Sequence, residues 1–269
     1  MATTSLPIAN NTASQGNVLL MDWVWRLLSM ALVFGAWEIA GRVPISIAFP
    51  TFIETMTAFG QLVADGRMGK AYLITLEPLI IGVGISGIFG VMLGITMGLS
   101  RTFQWFGEPI FVVMQAAPMA ALIPLVTFVY GIGVTAKVVA VVILAAPIIV
   151  LNSYKAVRNV SISLVQMSRS FQGNRLQEII KIIIPDASPM IFSGLRLGVA
   201  AGFIGVILAE LLITPTGIGD LITYHRSVAE YAEMYAAIFS IIVFAAFSVG
   251  LLERAETTFL RPEKKTSRK

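Results

Sequence analysis

The sequence predicts an all-α polytopic membrane protein with about six transmembrane helices. Three observations predict it. Hydrophobic residues make up 57% of the 269-residue chain and charged residues only 13%, about half the charged share of a soluble domain. The mean hydropathy is +0.84. The apolar residues fall in long uncharged runs, of the length a helix needs to cross a hydrocarbon core of ~30 Å. A soluble enzyme, a disordered chain and a disulfide scaffold are disfavoured, because the polar residues that would cover a soluble surface are missing. Cysteine is absent and His225 is the single histidine. That removes disulfides, thiol nucleophiles, Cys-ligated metals and any site needing two histidines. The net charge is 19 − 15 = +4, and the basic residues are not interleaved with aromatics, which argues against nucleic acid.

Residues 1–17 carry no charged side chain and are rich in Ser, Thr and Asn. No basic n-region precedes an apolar run, so an uncleaved, disordered tail is expected rather than a secretory signal. The membrane domain is expected over 18–255. Its first apolar stretch, 20–42, has Asp22 four before Arg26 and Glu38 four before Arg42, a spacing that suits helical pairing at each end. Only 27–37 is free of charge, roughly 16 Å of helix, so spanning requires the end charges to snorkel. Residues 51–63 place Phe52, Thr55, Met56, Phe59 and Leu62 on one helical face, as a surface amphipathic helix does. Uncharged runs then cover 78–100, 109–136 and 138–154, followed by 187–212 (apolar apart from Arg196 and Glu210) and 234–252. Glu77-Pro78 reads as a helix start.

Gly82-x-Gly84-x-x-Gly87 matches a dinucleotide fingerprint, but it lies inside an apolar run with no strand–helix turn around it. The glycines continue as Gly90, Gly94 and Gly98, a spacing that lets membrane helices approach closely. Pro118 and Pro124 sit in the longest uncharged run. Each bends a helix, and the carbonyls freed near 114–121 either line a polar path or mark ordinary packing kinks. Met114, Pro118 and Ala121 are thus candidate path residues, with Glu210 and Arg196. Glu210 is either a path or gate residue, or an acid near a helix end bonded to backbone or water. Arg196 is too far along the same helix to reach it; it snorkels or pairs with Glu178 or Asp186. The loop holding Tyr224, His225, Arg226 and Tyr231 either touches a partner or is simply solvated.

Lys155, Arg158, Arg169, Arg175 and Lys181 lie between the fourth and fifth runs, and Arg254, Arg261, Lys264, Lys265, Arg268 and Lys269 lie at the C-terminus. Two helices separate these clusters, so they share a face, which the positive-inside rule makes cytoplasmic. Six spans put the N-terminus there too, and 256–269 is expected to be a basic cytoplasmic tail. The segment 160–186 is basic, and Leu164, Met167, Phe171, Leu176, Ile179, Ile180 and Ile183 are helically spaced. Pro185 and Pro189 follow, to stop or bend the helix. Periodicity alone leaves it as a helix docking into a partner's groove or one lying on lipid. No G-x-x-x-x-G-K-[ST], H-E-x-x-H or G-x-S-x-G sequence occurs, so ATP hydrolysis, metalloproteolysis and acyl transfer have no machinery here.

The run Gln166-Met167-Ser168-Arg169-Ser170-Phe171-Gln172-Gly173 … Ile182-Ile183-Ile184-Pro185 resembles the "EAA---G---------I-LP" loop of ABC-importer permeases. Counting back from Ile182 puts the motif's Gly at Gln172 and its Glu at Gln166; Gly173 sits one place late. Pro118-Met119-Ala120-Ala121-Leu122-Ile123-Pro124-Leu125, Tyr130-Gly131-Ile132-Gly133, Lys137, Ser193-Gly194-Leu195-Arg196, Ala209-Glu210 and Gly217-Ile218-Gly219 resemble the nitrate/sulfonate/taurine-type permeases. The resemblance covers roughly 30–255. It implies a type I ABC-importer-like fold and a homodimer. It also implies two cytoplasmic ATP-binding subunits that hold ATP and Mg, and an extracytoplasmic solute-binding protein, in a bacterial cytoplasmic membrane. It makes the segment a coupling helix, with Gln166, Met167, Arg169, Phe171, Gln172, Gly173, Arg175 and Leu176 facing the ATPase subunit. No catalytic or metal residue and no cofactor in this chain is implied. The solute would be a small anion, such as a sulfonate or nitrate, or a vitamin precursor. The alternative is a secondary transporter or channel without ATPase subunits. It would show intramembrane ion-binding clusters and inverted repeats, whereas the sequence has isolated acids (Glu38, Glu77, Glu210) and no visible repeat.

Overall fold

The computed structural model describes residues 12–43, 46, 48–213 and 215–260. Among them there is no strand. The helices are α1 (Thr12–Arg42), α2 (Phe52–Ala64), α3 (Arg67–Leu99), α4 (Arg101–Ala116), α5 (Ile123–Tyr130), α6 (Val134–Arg158), α7 (Ile162–Ser170), α8 (Arg175–Glu178), α9 (Ile184–Leu212), α10 (Ile218–Ser227) and α11 (Tyr231–Leu260). A 3-10 turn, Met119–Leu122, precedes α5, and a π turn, Ile179–Ile183, joins α8 to α9. Five helices are long and apolar enough to cross a membrane, and α4 with α5, bent by 87°, makes the sixth.

Three boundaries differ from expectation. Helix α1 starts at Thr12, inside the expected 1–17 tail, whose first eleven residues lie outside the described ones. Helix α11 runs to Leu260 and buries Glu256, so it takes the start of the expected 256–269 tail; 261–269 lie outside the described residues. Pro78 is inside α3, not at its start. The buried stripe of Met68, Ala71, Thr75, Leu79 and Gly82 keeps helical spacing on both sides of the proline. Packing on that stripe outweighs the lost bond, and counting charge-free residues hid the stripe's first half.

Helices α3, α6 and α9 form the core, with α6 between the other two. Small residues permit their approach. Gly82 lies on Val141, Gly90 on Ile149, Gly94 on Ser153 and Gly98 on Val157, at the same sequence offset each time, so α3 and α6 run parallel and in register. A methyl group on Gly94 would come within 2.6 Å of the Val150 carbonyl oxygen. Gly194, Gly198 and Gly205 of α9 lie on Asn152, Ile149 and Ala140, so α9 runs antiparallel to α6. This is close approach through small residues; Gly84 takes no part, facing open space. The parallel pair requires an intervening span, which α4 and α5 supply.

The amphipathic helix is present as α2. Thr51 and Glu54 close a capping box at its start, and Thr55, Ala58 and Leu62 are buried against the bundle. It thus packs on protein along that face. Helix α11 lies along α9, α10 and α2. Helix α1 is held to this edge by aromatic contacts among Phe34, Trp37, Phe49, Phe52, Tyr235 and Phe239. The Trp37 indole also donates to the Pro50 carbonyl (3.2 Å).

At the end of the core opposite 160–186, a buried ion pair joins four elements. Lys137 (1% exposed) meets Glu210 (2% exposed) at 2.8 Å. Glu210 also accepts from the Thr75 hydroxyl (2.9 Å) and the Gly219 N–H (2.9 Å). Lys137 donates to the Thr216 hydroxyl (2.8 Å), and the Ile218 N–H donates to Thr75 (3.0 Å). Gly217 sits at φ 84 with no room for a side chain, since a Cβ would overlap the Glu210 carboxylate and the Thr75 hydroxyl. The path reading of Glu210 is therefore corrected: its carboxylate is sealed inside the subunit and fully bonded. Arg196 is corrected too. It pairs with Glu253 (3.4 Å) and Glu256 (3.7 Å) of α11, clamping α11 to α9, rather than with Glu178 or Asp186.

A buried charge left without its partner costs about 3–5 kcal/mol, whereas an apolar pair of similar volume is nearly neutral. Glu210→Ala or Lys137→Ala should each lower the melting temperature of the solubilised protein markedly. The double variant Lys137→Met/Glu210→Leu should recover most of the loss. Thermal unfolding in detergent checks this, and single variants that melt like the parent would refute it.

Candidate functional site

The segment 160–186 is built as a helix, a tight turn and a second helix. In α7, Leu164 and Val165 are half-buried and Ser168 is buried, facing the bundle. The opposite side exposes Ile162, Gln166, Met167 and Arg169. Phe171 is 81% exposed, and Arg175 and Leu176 are exposed beyond it. The outward apolar row is thus Ile162, Met167, Phe171 and Leu176; Leu164, expected in that row, turns inward.

The turn explains the displaced glycine. Phe171 ends α7, and Gln172 takes the left-handed conformation at φ 55. Its N–H bonds the Arg169 carbonyl (3.0 Å), and the Gly173 N–H bonds that of Ser168 (3.0 Å). This is a Schellman cap with glutamine in the place usually given to glycine. Gly173 is needed for contact instead, because a Cβ there would lie 2.7 Å from the Ser168 hydroxyl. Asn174 and Gln177 form a capping box for α8. Arg169 reaches across the turn to Glu178 (3.2 Å), whose carboxylate, by hydrogen bond and by charge, holds the guanidinium above its ordinary pKa.

From Arg175 the helix runs without interruption to Leu212. The expectation that Pro185 and Pro189 stop it is corrected: both lie within the continuous helix, and a π turn precedes Pro185. Ile184 bonds the Ile179 carbonyl five residues back, which lets the ladder shift register just before Pro185.

The second candidate region is the break in the bent span. Helix α4 is pinned to α6 by the Tyr154 hydroxyl, which donates to Glu108 (3.1 Å). It ends at Ala116; Ala117 is extended (ψ 149), and Pro118 (ψ 71) leads into the 3-10 turn. Pro118 has no N–H for the Met114 carbonyl, and Met119 donates to Ala117 (2.7 Å), so the ladder stops there. Pro124 does not add a second kink. It lies in the first turn of α5, where a missing N–H costs nothing.

Beside the break is a cavity of about 230 Å³ lined by Met114, Gln115, Met119, Ile143, Pro147 and Ile204 among others. Met114 lines it; Pro118 and Ala121 are exposed next to it. Glu210 and Arg196 do not line it. Helix α4 has no buried residue, and Trp105, Phe106, Phe128, Val129 and Ile132 are all at least 70% exposed, so this flank is unpartnered apolar surface.

Sequence reasoning missed the pairing of Lys137 and the place of Gln115 in the cavity wall. Lys137 and Glu210 were each legible as single charges in apolar sequence; only the topology shows that they meet. His225 was read as a loop residue. It lies in α10, 1% exposed, with Nδ1 2.7 Å from Glu230, while Tyr224 is exposed.

Residues 86–256 match the model of the family described as binding-protein-dependent transport system inner membrane component. A permease named for aliphatic sulfonates transport, SsuC of Escherichia coli (strain K12), is 30% identical over 86% of this chain and 91% of its own length. The nitrate import permease NrtB of Synechocystis sp. (strain ATCC 27184 / PCC 6803 / Kazusa) is 28% identical over 71% of this chain and 72% of its own. The fold is similar to that in the crystal structure of an amino acid ABC transporter with histidines, with a TM-score of 0.57 at 18% identity over 76% of this chain and 97% of that one. The chain belongs to the binding-protein-dependent transport family of inner membrane components, the membrane-spanning permease subunits of ABC importers.

Proposed function

We propose that two copies of this chain form a translocation path for a small solute, driven by two cytoplasmic ATP-binding subunits and fed by an extracytoplasmic binding protein. The observation that carries this is the outward row of Met167, Phe171 and Leu176 on a capped, ion-paired turn fused to α9. A side chain as exposed as Phe171 gains roughly 1.5–3 kcal/mol when a partner groove buries it, and 160–186 offers nothing of its own to do so. In this reading Gln166, Met167, Arg169, Phe171, Gln172, Gly173, Arg175 and Leu176 face the ATPase subunit, which holds ATP and Mg and does the hydrolysis. The end bearing this segment and both termini is cytoplasmic, in line with its basic residues. The membrane is the bacterial inner membrane.

The ATPase pair, closing, pulls on the docking turn. Because α8 and α9 are one rod, the pull tilts the α3–α6–α9 body as a unit and exchanges an inward for an outward opening, a switch between two packed arrangements. The path runs along the unpartnered flank of α4 and α5, past Met114, Pro118 and Ala121. Relatives named for sulfonates and nitrate support a small anion as solute, with a vitamin precursor next. The secondary-transporter reading loses two of its three acids: Glu210 is paired and buried, and Glu38 is bonded to Arg42 and to the Ile53 N–H, which leaves Glu77 alone, exposed on α3.

Two variants test the docking turn in vesicles carrying the complete complex. Phe171→Asp should leave basal ATP hydrolysis in place and abolish its stimulation by loaded binding protein; unchanged stimulation would sink the docking role. Gln172→Gly should stabilise the turn by about 1 kcal/mol, since glycine bears no left-handed penalty. Gly173→Ala should weaken coupling by pushing on Ser168. Equal coupling in both variants would remove the turn geometry from the mechanism.

A further inference from the structure

The cavity beside the break has a composition unlike that expected for holding a bare anion. Among its lining residues, Gln115 has the one polar side chain, exposed at the mouth; the walls are Met, Ile, Leu, Ala and Pro. No lysine or arginine lines it. Arg196 of α9 and Lys137 of α6 are both held in ion pairs, and Lys155 and Arg158 at the far end of α6 do not line it. Two prolines add acceptors instead of donors. Pro118 leaves the Met114 carbonyl without its intrahelical N–H, and Pro147 inside α6 does the same to Ile143. Met114 and Ile143 both line the cavity.

An inorganic oxyanion is polar on every side. Against such walls it would give up its water for apolar carbon and carbonyl oxygen, with no cation in return. A solute with an alkyl or ring body gains from the wall, leaves its charged head at the open mouth, and can donate an N–H to the freed carbonyls. Gln115, carrying both an amide donor and an acceptor, serves either end of such a molecule. Unbranched Met114 and Met119 adapt to bodies of different shape.

We propose that this cavity is a mid-path solute site, that Gln115 is its specificity-determining residue, and that the solute is organic, with an apolar body and an N–H donor, rather than a bare inorganic anion. The proposal rests on the permease reading and narrows its substrate class.

The chain contains no cysteine, so single-cysteine variants report on a silent background. Gln115→Cys, with lipid-side Leu73→Cys as control, would be made in the complete complex in vesicles. Each would be treated during ATP turnover with 2-sulfonatoethyl methanethiosulfonate, itself an organic sulfonate, and with its uncharged methyl analogue. Modification is read by mass on this chain. The sulfonate reagent should modify Gln115→Cys and spare Leu73→Cys. Taurine or riboflavin, each with an N–H donor, at about ten times its half-saturating level, should slow that modification about tenfold, and nitrate should not. No modification at position 115, protection by nitrate equal to that by the organic probes, or no protection by any organic probe would each overturn the proposal. Binding-protein-stimulated ATP hydrolysis in the same vesicles tests the permease reading separately.

Discussion

The close approach of α3, α6 and α9 governs the rest of the molecule. Lipid gives helices no hydrophobic reason to associate, so contact area and interhelical hydrogen bonds must hold them. Glycines of α3 that meet α6 at one constant offset, and Gly194, Gly198 and Gly205 along α9, bring the backbones together over most of their length. Three such helices behave as one body. What is attached at either end then moves with it, and what is propped on its flank, α4 and α5, defines a surface that can open without disturbing the core.

The two ends of that body are finished differently, in keeping with different tasks. At one end Lys137, Glu210, Thr75 and the Gly217–Gly219 backbone form a sealed network that joins α3, α6, α9 and α10. Such a network contributes little net stability but penalises any arrangement that separates its members. At the other end the rod from Arg175 to Leu212 (38 residues, ~57 Å at helical rise) projects past the core into an exposed turn. A force on the turn therefore reaches the buried network along continuous helix, with the π turn accommodating Pro185 so that the rod is not cut.

Much of this was legible from residue order. Uncharged runs located the spans, glycine spacing identified the packing stripe, and helical periodicity marked both α2 and the helical segment 160–186. The failures share a cause, which is that a local signal was read without its neighbours. Pro78 and Pro185 were taken as helix ends because proline removes a hydrogen bond, yet tertiary packing and a π turn absorb the loss. Pro124 was taken as a kink, yet its position in a first turn makes it harmless. Gln172 was recognised as standing at the motif's glycine position, but only the backbone shows that it adopts the glycine-like φ itself while Gly173 answers a separate steric demand. Lys137 and Glu210 are 73 residues apart, and no local pattern joins them.

The placement of charge bears on transport itself. A solute must be held well enough to enter a path and weakly enough to leave it. A fixed cation in a low-dielectric passage would hold an anion too well, and its own burial would have to be offset when the path is empty. In this chain two cations of the core are committed to structure, Lys137 to Glu210 and Arg196 to the end of α11, and no cation lines the cavity. The flank beside the helix break retains thioethers, aliphatic carbon, an amide and unpaired carbonyls. Such a surface binds by many weak contacts, each of which water can replace. In the proposed mechanism, release from it needs only the tilt of the body that lines it, so the motion that opens the proposed path also empties it.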